Sequence, residues 1–176
     1  MALKSTIFKA ELNVADMNRH YYADFPLTLA RHPSETTERM MLRLLAFARH
    51  ASESLEFGRG LSADEEPDLW QKDLTGEIEL WIDLGTPDPE RIRKACGKAR
   101  QVVLYCYGNR AVPVWWAKHE SKLSRFNNLQ VIEVDSDLLA VLAQPSMRIQ
   151  CSIEGQDIWL SSGEESVQIT PTVLKS

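Results

Sequence analysis

The stretch 76–85, GEIELWIDLG, constrains the chain more than any other. Read as a strand, it sends Ile78, Leu80, Ile82 and Leu84 to one face and Glu77, Glu79, Trp81 and Asp83 to the other. The first face is unbroken hydrocarbon. The second carries three carboxylates. Neighbouring same-face residues lie roughly 6.7 Å apart, where two carboxylates repel by about 2.5 kcal/mol at an effective dielectric near 20. A strand at the surface sheds most of that cost to water. A strand covered on both faces needs a cation, a Lys or Arg, or a raised pKa. The acidic face is therefore either solvated or part of a site.

The flanking segments predict what surrounds it. Residues 5–16 and 20–30 form an alternating pair joined at Asp16–Arg19, a β-hairpin. Pro26 lacks a ladder donor, which places the second strand at a sheet edge. Ser34 reads as an N-cap with Glu35 in the first turn, opening a helix that runs to about Glu56 and stops at Gly58 and Gly60. Glu38 sits at the edge of that helix's apolar stripe. Residues 61–67 form an acidic loop, followed by Pro67-Asp68-Leu69-Trp70 and a turn at Leu74-Thr75-Gly76. Asp88 and Pro89 read as N-cap and first residue of a basic helix with a narrow stripe of Ile92, Ala95, Cys96 and Ala99. Gln101–Tyr107 has no polar alternation and reads as a buried strand of a parallel or mixed sheet. A helix over 112–125, a strand over 129–134, a short helix from Asp135 or Ser136 and several β-segments after Met147 complete the chain.

We therefore expect one α/β domain spanning residues 1–176. Its mixed central sheet is flanked by the 34–56 and 89–99 helices, with β-hairpins from both termini. At 176 residues a well-buried core is within reach. The net charge of −5 repels nucleic acid globally, so any such binding needs a local basic patch. No apolar run approaches the ~20 residues of a membrane helix, and no signal peptide is visible. Cys96, Cys106 and Cys151 are too widely spaced for a zinc motif or a disulfide framework, which suits a cytoplasmic setting. The four histidines make no metal spacing. The five tryptophans could stack on bases, although core packing is the commoner use.

Three segments and a dipeptide carry a wider likeness: HPSETTERMMLRLLAF (32–47), EPDLWQKDLTGEIELWIDLG (66–85), RIRKACGKA (91–99) and Tyr107-Gly108. Together they resemble the YaeQ family of bacterial proteins over essentially the whole chain. The resemblance implies a fold similar to a variant of the PD-(D/E)XK, or restriction-endonuclease-like, superfamily. Carried over residue by residue, Pro67-Asp68 matches the PD element and Asp83-Leu84-Gly85 the (D/E)-x-K element. Gly85 then stands where the lysine is expected. Asp68 and Asp83 would ligate Mg²⁺, with Glu79 or Glu38 completing the shell, because a hard cation takes oxygen ligands. Such an ion polarises a phosphodiester and acidifies its bound water.

A helix-borne lysine, Lys94 or Lys98, would stabilise the developing charge. The helical wheel turns Lys94 away from the apolar stripe, while Lys98 and Arg91 flank it. The short span from Asp68 to Asp83 leaves little room for a hairpin. Two functions stand side by side: a metal-dependent nuclease, and a non-catalytic module on the same scaffold. The module would bind nucleic acid or the transcription machinery through a face near Arg39, Lys94 and Lys98. The transcription link comes from the family resemblance. Against both, the carboxylates could be a solvated face or partners of Arg39, Arg43 and the basic helix. The oligomeric state stays open.

Overall fold

Strands β1 (Thr6–Asp16) and β2 (Tyr21–Arg31) pair antiparallel from Thr6↔Arg31 to Asp16↔Tyr21, the hairpin the alternation predicts. Asp16 closes its turn by accepting from the backbone N–H groups of Asn18 and Arg19, at 3.0 and 3.1 Å. This computed structural model describes residues 4–59 and 65–176. The chain divides into two compact units, one of residues 1–51 with 136–170 and one of residues 52–135 with 171–176. The α/β class and the mixed strand directions are those expected; the strands are shared between two sheets, one in each unit.

The first unit holds a five-stranded sheet in the order β10-β9-β8-β1-β2. Here β8 (Ser146–Glu154) runs parallel to β1, while β9 (Asp157–Ser162) and β10 (Glu165–Ile169) extend it antiparallel. Alternation explains its single buried face: Ala10, Leu12 and Val14 point in, and Lys9, Glu11 and Asn13 point out. β2 is an edge strand, so Pro26 removes no ladder bond.

Helix α1 (Thr37–Arg49) is shorter than the sequence predicts at both ends. Its cap is Thr36, whose Oγ1 accepts from the Arg39 N–H, and not Ser34. The Ser34 hydroxyl is instead 2.6 Å from His32 Nδ1, in a turn that precedes the helix. At the other end the helix stops at His50, well before Gly58. Ser52 Oγ takes the N–H of Ser54, a side-chain bond that competes with helix continuation, and Leu55–Phe57 becomes strand β3. The expected stop at Gly60 and most of the acidic 61–67 loop fall outside the described residues. The short helix after Asp135 is a 3-10 turn, Ser136–Leu142, packed on α1.

The second unit holds a six-stranded sheet ordered β11-β7-β6-β5-β4-β3. β5 (Ile78–Leu84), β6 (Ala99–Cys106) and β7 (Leu129–Glu133) are parallel. They are joined by α2 (Pro89–Lys98) and α3 (Ala111–Leu123). Asp88 caps α2 with Pro89 behind it, as its sequence predicts. Ile92 and Ala95 of α2 and Val112 and Leu123 of α3 pack with Trp81, Val102, Leu104 and Val131, so both helices cover one face of the sheet.

Three short strands escape the periodicity: β3, β4 (Leu69–Lys72) and the terminal β11 (Thr172–Lys175), which pairs with β7. The β4–β5 hairpin fits the short span from Asp68 to Asp83 because its register shifts between Gln71 and Lys72. Asp73 Oδ1 gathers the N–H groups of Thr75 and Glu77, and Gly76 turns at φ +88°. The cysteines are unbonded to one another. Burial pushes the Cys106 and Cys151 thiols up to about 12 and Cys96 to about 11, as suits small core residues.

Candidate functional site

The acidic face of β5 is split along its length. Glu77 is exposed and pairs with Arg100 at 2.8 Å. Glu79 is half-buried, with Gln71 Nε2 donating at 3.4 Å. Trp81 and Asp83 are buried, each only 3% exposed. Water thus dissolves the repulsion at one end of the strand, and a cation answers it at the other.

That cation is Arg91, from the first turn of α2. Its Nε donates to Asp83 Oδ2 at 2.9 Å and a terminal nitrogen donates to Oδ1 at 3.2 Å. Trp81 Nε1 donates to the same Oδ2 at 3.0 Å. A forked guanidinium suits both oxygens of a carboxylate in a way an ammonium does not. Arg91 also reaches the Glu66 carbonyl, at 3.1 Å.

Asp68 lies beside this pair. β4 and β5 align Leu69 with Ile82 and Trp70 with Trp81, so one step further Asp68 faces Asp83 across the hairpin. Its Oδ2 accepts the Leu84 N–H at 2.9 Å, and it is 5% exposed. The structure therefore brings Asp68 and Asp83 together. Glu79 sits further along β5 beside Gln71, and Glu38 belongs to α1 in the other unit.

Neither lysine enters the pair. Lys94 is exposed. Lys98 Nζ lies 6.0 Å from the Trp81 ring centroid, over the indole. Gly85 explains the vacant lysine position: its φ is +106°, a region that side-chain-bearing residues rarely adopt. Arg39 offers no surface. It is buried on α1 with its guanidinium 2.8 Å from Glu35, so the binding face expected near Arg39, Lys94 and Lys98 loses its first member.

These residues do not fit Mg²⁺. The ion needs near-octahedral oxygen ligands at about 2.0–2.1 Å. Both Asp83 oxygens already accept from Arg91, which puts a positive charge where the metal would bind. Asp68 Oδ2 is committed to the β5 backbone. Among the described residues no three His, Cys, Asp or Glu side chains converge to hold a metal.

A second feature went unnoticed in the sequence. α2 and α3 enclose a groove of about 550 Å³. One wall is the start of α2, with Asp88, Glu90 and Arg93. The other is the end of α3, with Lys118, His119, Lys122 and, just past the helix, Arg125; Leu123 and Phe126 line the floor. Trp115 Nε1 donates to the Pro87 carbonyl at 3.0 Å and ties the two helices' approach together. The signal was available: Lys118, Lys122 and Arg125 are spaced i, i+4, i+7, and residues 91–125 contain nine Arg and Lys against one acid, Glu120.

Two mixed sheets in one α/β chain, with Asp83 held by Arg91 on one of them, set the class of protein, and comparison with known proteins identifies the family. The family model described as "YaeQ protein" matches residues 1–171. The chain belongs to the YaeQ family. It is 50% identical over 175 residues to "Uncharacterized protein YaeQ" of Salmonella typhi, covering 98% of this chain and 97% of that one. The Escherichia coli (strain K12) counterpart is 48% identical over the same share of each chain. Among solved structures, YaeQ from Xanthomonas axonopodis pv. citri superimposes with a TM-score of 0.95 at 49% identity, over 98% of this chain and 99% of that one. YaeQ from Pseudomonas syringae gives 0.92 at 34%, over 98% and 97%. Among the described residues no helix is long and apolar enough to cross a membrane.

Proposed function

We propose that this protein is a non-catalytic binding module that engages nucleic acid through the face formed by α2 and α3. The observation that carries the reading is charge segregation. The whole chain has a net charge of −5, yet residues 91–125 hold nine of its 20 basic side chains and one of its 25 acids. These residues run from α2 through β6 to just past α3, and the two helices cover one face of the sheet. Asp83, Glu90 and Glu77 hold Arg91, Arg93 and Arg100, so the patch is carried by Lys94, Lys98, Arg110, Lys118, Lys122 and Arg125. Salt screens interactions beyond a Debye length of roughly 8–10 Å, so at physiological ionic strength a phosphate near these six responds to them more than to acids elsewhere on the chain.

The scaffold resembles a nuclease in placing Asp68 opposite Asp83, but Arg91 occupies the carboxylate that hydrolysis would need for a metal. Binding by a patch needs no metal and is salt-dependent. The test is fluorescence anisotropy with labelled DNA and RNA between 50 and 200 mM salt, alongside incubation with Mg²⁺ or Mn²⁺. We expect binding that weakens steeply with salt and no cleavage. Cleavage in either metal that disappears in Asp83→Ala and Asp68→Ala would reinstate the nuclease. Absence of binding at 50 mM salt would remove nucleic acid and leave a protein of the transcription machinery as the partner to test.

A further inference from the structure

The groove between α2 and α3 has two unlike walls, and that asymmetry narrows the ligand. On α3, Lys118 and Lys122 follow one another along one stripe, about 6 Å apart in helical rise, and Arg125 lies in the turn just past the helix. Lys118 and Lys122 are exposed and make no ion pair among the described residues. Like charges four residues apart on a helix repel, and a bound anion relieves them. On α2, by contrast, Glu90 holds Arg93, and Asp88 adds a second carboxylate. A polyanion in the groove is drawn more strongly to the α3 wall, where the lysines stand, than to the α2 wall, where Glu90 and Arg93 answer each other.

Between the walls lies an apolar floor. Phe126 is half-buried there, and the Arg125 guanidinium stands 4.9 Å from its ring centroid. The guanidinium covers the ring, and Phe126 packs on the core behind it, so the flat surface turned to the groove is the Arg125 plane backed by Phe126, on which a base can stack. A base can reach that floor only if it is unpaired and turned out of a helix. A duplex presents its phosphates on a convex cylinder with its bases inside, so it touches the groove's rims and leaves the floor empty.

We infer that this groove seats a single-stranded segment of nucleic acid, with its backbone along Lys118 and Lys122 and a base stacked on the Arg125 guanidinium that Phe126 backs. The inference rests on the nucleic-acid reading above and deepens it. The carboxylate wall fixes the orientation: phosphates lie against α3 and base edges turn toward Asp88 and Glu90, which accept hydrogen bonds from exocyclic amino groups.

The experiment compares a labelled 12-nucleotide single strand with the same sequence as a duplex, using the full chain and two variants. One variant is Lys118→Gln with Lys122→Gln; the other is Phe126→Leu, with folding of each checked by circular dichroism. We expect the single strand to bind at least tenfold more tightly than the duplex. The double lysine variant should lose at least tenfold and flatten the salt slope by about 1.4, since each single-strand phosphate contact contributes about 0.7. Phe126→Leu should lower single-strand affinity severalfold and leave duplex affinity unchanged. Equal affinity for the two forms, or full affinity in the double lysine variant, overturns the groove assignment while nucleic-acid binding stands. Binding of neither form overturns both.

Discussion

Each unit of the molecule buries a carboxylate against arginine, and the two arrangements differ in access to water. In the first, Glu35 accepts from Arg39 at 2.8 Å and from two nitrogens of Arg43 at 2.9 and 2.7 Å. All three side chains are nearly closed off, at 3%, 11% and 9% exposure. Arg43 also reaches the Ala30 carbonyl, and Arg31 reaches the Glu35 carbonyl, so the cluster ties α1 to the end of β2. In the second unit Asp83 is as deeply buried, but Arg91 is 32% exposed. The first arrangement acts as a lock. The second is a cap on a carboxylate whose cation still has one side in water. Burial of a charge makes structure; partial exposure of its partner keeps a site adjustable.

Removing one member of each set breaks that comparison at different depths. Glu35→Gln leaves two enclosed guanidiniums without their charge, and should cost about 3–5 kcal/mol in urea unfolding, enough to threaten folding of the first unit. Asp83→Asn strands an arginine that can turn to solvent, and should cost about 2 kcal/mol in the same assay. If the two losses were equal, the difference in access would mean nothing.

The smallest effect is a pH dependence. His50, at the end of α1, is pushed down to about 3 from 6.5 by burial and by the neighbouring Arg49 and Arg19. The unfolded chain therefore takes up this proton near pH 6.5 while the native chain does not. The contribution is fully present above pH 6.5 and is lost as pH falls from there toward 3, reaching no more than about 1.4 kcal/mol by pH 5.5. Urea midpoints at pH 7.5 and 5.5 should differ less in His50→Gln than in the native chain; equal differences would place the histidine in water.

The sequence was informative where one face of an element meets water and the other does not. The β1–β2 hairpin, its edge proline, the Asp88-Pro89 start of α2 and the buried β6 strand all follow from alternation and capping chemistry. β4 was hidden because four residues cannot display a period. The end of α1 was hidden because residues 50–56 remain compatible with a helix; the bond from Ser54 to Ser52 decides against it. At the site, the candidate carboxylates Asp68 and Asp83 were visible in the pattern of 66–85, but the cation was not. Choosing among Arg91, Lys94 and Lys98 depends on the angle at which α2 leaves β5, and the backbone at Gly85 sets that locally. The basic stripe of α3 was plain in spacing. Spacing alone does not show that α2 stands beside it to make a groove.

The order of the strands bears on how the polypeptide is made. β1 and β2 leave the ribosome long before β8, yet the other edge of β1 is filled by β8, from Lys9↔Ser146 to Asp16↔Ile153. The second sheet likewise waits for β11 to close on β7. Throughout most of synthesis the nascent hairpin offers an open row of amides and carbonyls to any neighbouring chain. Crowded polysomes should therefore favour pairing between copies, and a chaperone that shields residues 9–16 until residue 153 has emerged would raise the yield of native protein.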